Sequence, residues 1–135
     1  MYLLDTNVVS ELRRPRPHPS VLSWISDAPE EQLYISAVTV GEIQAGIEIT
    51  REQDVAKAAE LEAWLGEVTD AFGVLPMDAL AFRYWARLMH RRSDTMIEDA
   101  MIAATAAVHR LTVVTRNVRH FREFDLPLYN PFEED

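Results

Sequence analysis

Short apolar runs alternate along this chain with longer stretches in which apolar residues recur every three or four positions. The runs predict short buried strands at Tyr2–Leu4, Leu33–Ser36, Val74–Pro76, Leu111–Val114 and, as a last edge strand, Leu126–Tyr129. The stretches predict helices at Val8–Arg14, Pro19–Asp27, Thr39–Ile49, Asp54–Phe72, Ala79–Arg91 and Ile97–His109. Strands that alternate with helices indicate an α/β fold with a parallel sheet covered on both faces.

Length and composition favour one globular domain over residues 1–135. The chain has 135 residues, of which 48% are apolar, and this excludes a disordered chain. No apolar run approaches the roughly 20 residues that a membrane helix needs. No Lys or Arg precedes Arg13, so we expect no signal peptide and a cytoplasmic protein. The absence of Cys excludes disulfides and cysteine-ligated zinc.

The formal net charge of −9 argues, by itself, against a nucleic-acid enzyme. Such a surface repels phosphates on average. Any activity on nucleic acid would need a local basic patch, or metal ions that neutralise the carboxylates.

Several polar residues nevertheless lie where a site is expected. In open parallel sheets, functional groups gather beyond the carboxyl ends of the strands. Asp5 directly follows the first strand, and Asn117 follows the strand that ends at Val114. Glu42 lies in a helix that begins just after the second strand, and Asp99 lies near the start of the alanine-rich helix.

Each of these positions also has a purely structural interpretation. Asp5 is a good N-cap for the helix predicted near Val8. Thr39 and Glu42 have the spacing of a capping box, which for Glu42 alone is the more favoured interpretation. Asn117 is a common type of turn residue after a strand.

Asp99 is the most informative carboxylate. It shares a helical face with apolar residues at offsets of three, four and seven, namely Ile102, Ala103 and Ala106. A carboxylate on a core-facing stripe costs several kcal/mol unless it is paired or binds a cation. Its neighbour Glu98 is instead predicted to close a capping box with Thr95.

The shared placement of these residues predicts a cation site. Clustered carboxylates repel one another. Oxygen ligands of this kind suit Mg²⁺ or Mn²⁺ rather than zinc. The four histidines, His18, His90, His109 and His120, have no close metal-binding spacing.

Four stretches of the sequence resemble a known family. They read LLDTNVVSEL, ISAVTVGEIQAGI, EDAMIAATAAVHRLTVVTRNVRHF and, near the end, NPF. With them the chain resembles the PIN-domain ribonucleases, and among these the VapC-type toxins of bacterial toxin–antitoxin pairs, over nearly its whole length. The resemblance implies a three-layer α/β/α sandwich around a short parallel sheet. It also implies a divalent-metal-dependent endoribonuclease that hydrolyses RNA phosphodiester bonds.

The resemblance assigns roles to individual residues. Asp5, Glu42 and Asp99 would be catalytic and would hold Mg²⁺, for which Mn²⁺ could substitute. Asn117 would be a fourth metal ligand. It stands where the family often has Asp, so one anionic ligand is missing and the resemblance does not establish a second metal position. Thr6 and Thr115 would support the site through hydrogen bonds.

The substrate-binding residues remain open at this stage. RNA phosphates could meet either of two arginine groups, which are equally well explained as solvated faces; the groups are Arg13, Arg14 and Arg16, and Arg116, Arg119 and Arg122. The resemblance further implies a small antitoxin as partner and a homodimer.

Other protein classes fit less well. A catalytically inactive scaffold that only binds RNA or protein is the main alternative, and Asn117 mildly favours it. A phospho-acceptor signalling domain usually has a late lysine, whereas the only lysine here is Lys57. An aspartyl phosphatase would want an acid where Asn7 stands.

Overall fold

A parallel sheet of five short strands forms the centre of the molecule. The computed structural model describes residues 1–133. The strands are β1 (Tyr2–Leu4), β2 (Leu33–Ser36), β3 (Gly73–Leu75), β4 (Thr112–Val114) and β5 (Leu128–Tyr129). Their order in the sheet is β3-β2-β1-β4-β5, and every neighbouring pair is parallel.

Helices cover both faces of this sheet. They are α1 (Thr6–Glu11), α2 (Pro19–Asp27), α3 (Ala37–Arg51), α4 (Val55–Ala71), α5 (Ala79–Met89), α6 (Ile97–His109) and α7 (Val118–Phe121). The three-layer α/β/α fold with a short parallel sheet is therefore confirmed. Helix α7 was not predicted from the sequence, which indicated no helix between the last two strands.

The continuous apolar run at the start of the chain is explained by the two cores. Successive side chains of a strand point to opposite faces. Leu3 packs with Ala103 and Phe121 in one hydrophobic cluster, whereas Leu4 packs with Val9 in a different cluster. Because both faces of β1 are buried, both kinds of position must be apolar.

The register of the strands aligns their carboxyl ends. Leu4, the last residue of β1, pairs with Ile35 on one side and with Val114 on the other. The residues that follow β1 and β4, and the helix that follows β2, therefore meet at one rim of the sheet.

The predicted helix starts were wrong at α1 and α3, and the reason is capping. The α1 helix begins at Thr6 because the Asp5 carboxylate accepts a hydrogen bond from the Thr6 amide. The α3 helix begins at Ala37 because Ser36 Oγ accepts a 3.0 Å hydrogen bond from the amide of Val38. No helix in the described residues has the length and apolar character needed to cross a bilayer.

Candidate functional site

Asp5 is a buried carboxylate at the end of β1. Its side chain is only 4% exposed, and its amide continues the sheet by donating to the carbonyl of Val114 at 2.9 Å. Oδ1 accepts from the Thr6 amide at 2.8 Å. Oδ2 accepts from the Thr115 hydroxyl at 2.8 Å and from Asn7 Nδ2 at 3.2 Å.

These hydrogen bonds leave Asp5 with one free acceptor position. An ionised carboxylate has about four lone-pair sites on its two oxygens. Three are used within the protein, two of them on Oδ2. The carboxylate is thus held rigidly, with a lone pair of Oδ1 available for a further ligand.

Asn7 and Thr115 join the ends of β1 and β4. Asn7 Oδ1 accepts from the amide of Arg116 at 3.2 Å. The Thr115 hydroxyl accepts from the amide of Asn117 at 2.9 Å. The turn after β4 is therefore fixed to the same side chains that hold Asp5.

Glu42 reaches the same rim from α3, and the alternative interpretation, a capping box with Thr39, is wrong. Ser36 caps α3, and Thr39 lies in the first turn, fully buried. Glu42 Oε1 accepts from Thr6 Oγ1 at 3.0 Å, and Thr6 Oγ1 lies 2.9 Å from Thr39 Oγ1. A hydroxyl has one proton to donate, so Thr39 donates to Thr6, which donates to Glu42.

Asp99 enters the rim from the first turn of α6. Its side chain is 24% exposed, and Oδ2 lies 3.5 Å from Nδ1 of His120. The predicted capping box of Glu98 is wrong: α6 has Met96 at its N-cap position without a side-chain cap bond, and Ser93 instead caps the preceding 3₁₀ turn. Glu98 is exposed beside Asp99.

Asn117 occupies the turn between β4 and α7. It is exposed, and its side chain makes no hydrogen bond with any residue in the described range 1–133. Its backbone amide is tied to Thr115, so the position is fixed although the side chain is unengaged.

Burial, together with the negative charge of a neighbouring carboxylate, raises the pKa of each of the three carboxyl groups. Burial is the main cause at Asp5, where the Thr115 and Thr6 bonds oppose the rise and the charge of Asp99 adds to it. Burial also leads at Glu42, followed by the opposing Thr6 bond and by the repulsive charges of Asp5, Glu98 and Asp99. At Asp99 the pKa is raised by burial and by Glu98, and His120 opposes the rise.

The carboxylate oxygens of this rim are ligands of the kind that Mg²⁺ and Mn²⁺ prefer, but they do not surround a single point closely. Within residues 1–133, no three His, Asp or Glu side chains are grouped closely enough to form a ready-made metal cluster. Mg²⁺ commonly keeps several waters and binds through one or two carboxylates. The free lone pair of Asp5 and the repulsion among the carboxylates fit such a partly hydrated ion.

Two residues of this rim, His120 and Asn7, were not predicted from the sequence as part of the site. His120 is 21 positions from Asp99 in the chain, so no motif spacing links them, and only the fold of α7 brings them together. Asn7 was detectable: it lies two residues after Asp5, and its side chain faces the same carboxylate.

Comparison with known proteins identifies the family. The PIN domain family matches residues 2–126. The VapC ribonuclease Y4jK of Sinorhizobium fredii is 39% identical, over 98% of this chain and 99% of that protein. Toxin FitB of Neisseria gonorrhoeae is 31% identical, over 99% of this chain and 100% of that protein.

Solved structures agree over the whole fold. The structure of FitAB bound to an IR36 DNA fragment matches with a TM-score of 0.87 and 31% identity, covering 100% of this chain and 98% of that one. A toxin–antitoxin complex from Klebsiella pneumoniae matches with a TM-score of 0.75 and 25% identity. A member of the VapBC family from Mycobacterium tuberculosis matches with a TM-score of 0.65 and 28% identity. The chain therefore belongs to the PIN-domain family, where its sequence and fold group it with the VapC-type proteins.

Proposed function

We propose that this chain is a divalent-metal-dependent endoribonuclease and the toxin of a toxin–antitoxin pair, acting in the cytoplasm. The observation that carries this proposal is the meeting of Asp5, Glu42 and Asp99 at one rim, where burial and the charge of neighbouring carboxylates raise their pKa values. A bound cation would relieve both effects. The similarity to full-length relatives named as a ribonuclease and a toxin supports the same conclusion.

Each carboxylate has a distinct task in this proposal. Asp5, immobilised by three hydrogen bonds, would offer one oxygen to Mg²⁺ or Mn²⁺. Asp99 would supply a second ligand from α6. Glu42, oriented by Thr6, would bind the ion or orient the attacking water. The ion, when bound, would activate water and neutralise charge that develops on the phosphoryl oxygens.

RNA from cells that express this chain alone provides the test. Mapping of newly formed RNA ends should show cuts at defined positions with the wild-type chain. The cuts should be absent with Asp99→Asn at the same protein level. Equal cutting by both chains would exclude an activity that depends on this rim.

The proposed antitoxin would block the rim with a cation of its own. A guanidinium is permanently charged and binds carboxylates in a bidentate manner, so we expect an Arg, or less favourably a Lys, among Asp5, Glu42 and Asp99. A groove of about 240 Å³ opens beside Glu42 between α1, α3 and α4, and its lining includes Ile43 and Ile47. It would take the apolar helix or extended segment that flanks the inserted residue.

Competition between metal and partner tests this mode of inhibition. Excess Mn²⁺ should weaken binding of the co-purified partner, and the double variant Asp5→Asn, Asp99→Asn should bind it less tightly than wild type. Unchanged binding in both experiments would show that inhibition acts elsewhere.

The proposed homodimer has a candidate surface on α5. Leu80 and Phe82 are large apolar side chains with 57% and 44% of their surface exposed. Burial of such side chains is a usual source of dimer stability. Sedimentation of the purified chain measures the state directly.

A binding-only scaffold is the second candidate. Asn117 and the open arrangement of the rim favour it, because both reduce the metal-binding capacity of the site. Metal-dependent cleavage by purified protein, abolished by substitution of Asp5, would exclude this candidate.

A further inference from the structure

A basic cavity lies beside the carboxylate rim. Its volume is about 630 Å³, within the roughly 300–1,000 Å³ typical of ligand sites. Three arginines line it, Arg116, Arg119 and Arg122, together with the polar side chains of Asn117, His120 and Asn130.

The local sequence explains why the three arginines share one cavity. Arg119 lies in α7 and Arg122 begins the following 3₁₀ turn, so this pair, three residues apart, shares one side of a helical segment, and Arg116 joins it from the turn that precedes α7. The opposite side carries Phe121 and Phe124, which are 0% and 4% exposed and belong to the core cluster of Leu3. The packed phenylalanines therefore fix the segment, and the arginines face outward.

The arginines have no acidic partner within the described range 1–133. The ion pairs found there use Arg14, Arg51, Lys57, Arg92 and His120. One carboxylate, Glu133, is among the residues that line the cavity, but it forms no ion pair with the arginines. Unpaired cations grouped together are unexpected on a chain with 22 acidic and 13 basic residues.

Arg116 is held in a way that leaves its donors usable. Its guanidinium lies over the ring of Phe132, with 4.3 Å between its central carbon and the ring centroid. Its side-chain N–H groups donate no hydrogen bond to any residue within 1–133, so they are available for a phosphate. Asn130 is likewise fixed, because its Oδ1 accepts from the amide of Phe132 at 2.9 Å.

The cavity adjoins the carboxylate rim through His120 and Asn117. His120 lines the cavity and lies 3.5 Å from Asp99. Asn117 also lines it, and its amide donates to the Thr115 hydroxyl, which in turn donates to Asp5. A strand of RNA with its scissile phosphate at the carboxylates would thus have its neighbouring nucleotide at the arginines.

We propose that this cavity is an RNA subsite in which Arg116, Arg119 and Arg122 bind the backbone phosphate next to the scissile one. The proposal rests on the ribonuclease function and deepens it. Contacts of this kind position a nucleic acid without reading its sequence. They also give a strongly acidic protein a local means of holding a polyanion.

Binding of a short single-stranded RNA tests the subsite without any cleavage. Fluorescence anisotropy of a labelled RNA is measured in EDTA at several salt concentrations, with the full chain. The test variant is Arg119→Gln, Arg122→Gln, which leaves Arg116 and its contact with Phe132 intact. The matched control is Arg83→Gln, Arg87→Gln, which removes the same charge from exposed positions of α5.

The test variant should bind RNA roughly tenfold or more weakly than the control at low salt, since hydrogen bonds from charged groups are lost. The salt dependence of its affinity should also fall, by about 0.7 in the logarithmic slope for each phosphate contact removed. Equal affinities and slopes for the two double variants would overturn the proposal. So would a wild-type chain that does not bind RNA, or a test variant that loses only its affinity for the antitoxin.

Failure of the subsite is distinguishable from failure of the nuclease function. If wild type cleaves RNA with metal but the two double variants bind RNA alike, the subsite is refuted and the nuclease stands. If wild type never cleaves but the test variant alone binds RNA weakly, the RNA site stands and the nuclease is refuted.

Discussion

At the scale of single residues, Asp5 shows how one side chain serves both folding and the site. Its Oδ1 caps α1 through the Thr6 amide, and its Oδ2 joins β1 to Thr115. The sequence offered capping and metal binding as alternatives, whereas the structure accommodates both. A carboxylate needs only one free lone pair to bind a cation, and the cap leaves one.

Removal of the Asp99 charge should stabilise the metal-free protein at neutral pH. Burial and Glu98 raise the Asp99 pKa, so the folded state holds the proton more tightly than the unfolded state. Stability from this group is therefore largest below the unfolded pKa near 3.8 and falls as the pH rises through the folded pKa. The Asp99→Asn variant has no carboxyl group to ionise at this position, so its stability does not fall in this way as the pH rises. Thermal unfolding in EDTA should show a higher Tm than wild type at neutral pH.

The exposed Asp70→Asn provides the control for that measurement. Its Tm difference from wild type should stay small across the pH range. An Asp99→Asn protein that is less stable than wild type at neutral pH would mean that its pairing with His120 outweighs desolvation.

Asn117 should contribute less to activity than Asp5. A neutral amide offers a hard cation one carbonyl oxygen and no charge. We expect Asn117→Ala to lose less activity than Asp5→Ala, and Asn117→Asp to tighten metal binding. Titration of the three variants with Mn²⁺ measures both. Losses of the same size for the two alanine variants would show that Asn117 is a full ligand.

At the scale of elements, the strands and the periodic helices were predictable, and the shortest helix, α7, was not. The predicted bounds Ile97–His109 are those of α6, where the apolar stripe is long. The four residues of α7 are too few to show a helical period, although Phe121 is fully buried. The meeting of His120 with Asp99 depends on this missed helix, which is why that part of the site was also missed.

The groove between α3 and α4 offers a way to separate partner binding from catalysis. Gly46 lines this groove, and an added Cβ would meet no atom within 4 Å. We expect Gly46→Leu to fold normally, fill the groove and weaken antitoxin binding by roughly tenfold, the equivalent of about 1.4 kcal/mol. RNA cleavage by the free variant should persist.

Gly66→Leu is the matched control, because Gly66 is an exposed α4 residue that also has open space around it. Calorimetric titration of the purified partner against both variants gives the comparison. Equal affinities would place the partner outside the groove.

At the scale of the whole molecule, negative and positive charges are concentrated in different places. The net charge of −9 repels RNA on average. The carboxylate rim concentrates negative charge, and the neighbouring cavity presents three arginines that form no ion pair within residues 1–133. The composition alone argued against a nucleic-acid enzyme, because net charge does not reveal where the few cations lie.

Cleavage of RNA by purified protein, titrated with Mg²⁺, tests the central proposal most directly. The wild-type chain should cleave with Mg²⁺ and stop in excess EDTA, while Asp5→Asn and Asp99→Asn should be inactive at every Mg²⁺ concentration although folded by circular dichroism. Undiminished cleavage in EDTA, or full activity of either variant, would contradict a metal-dependent nuclease built on these carboxylates.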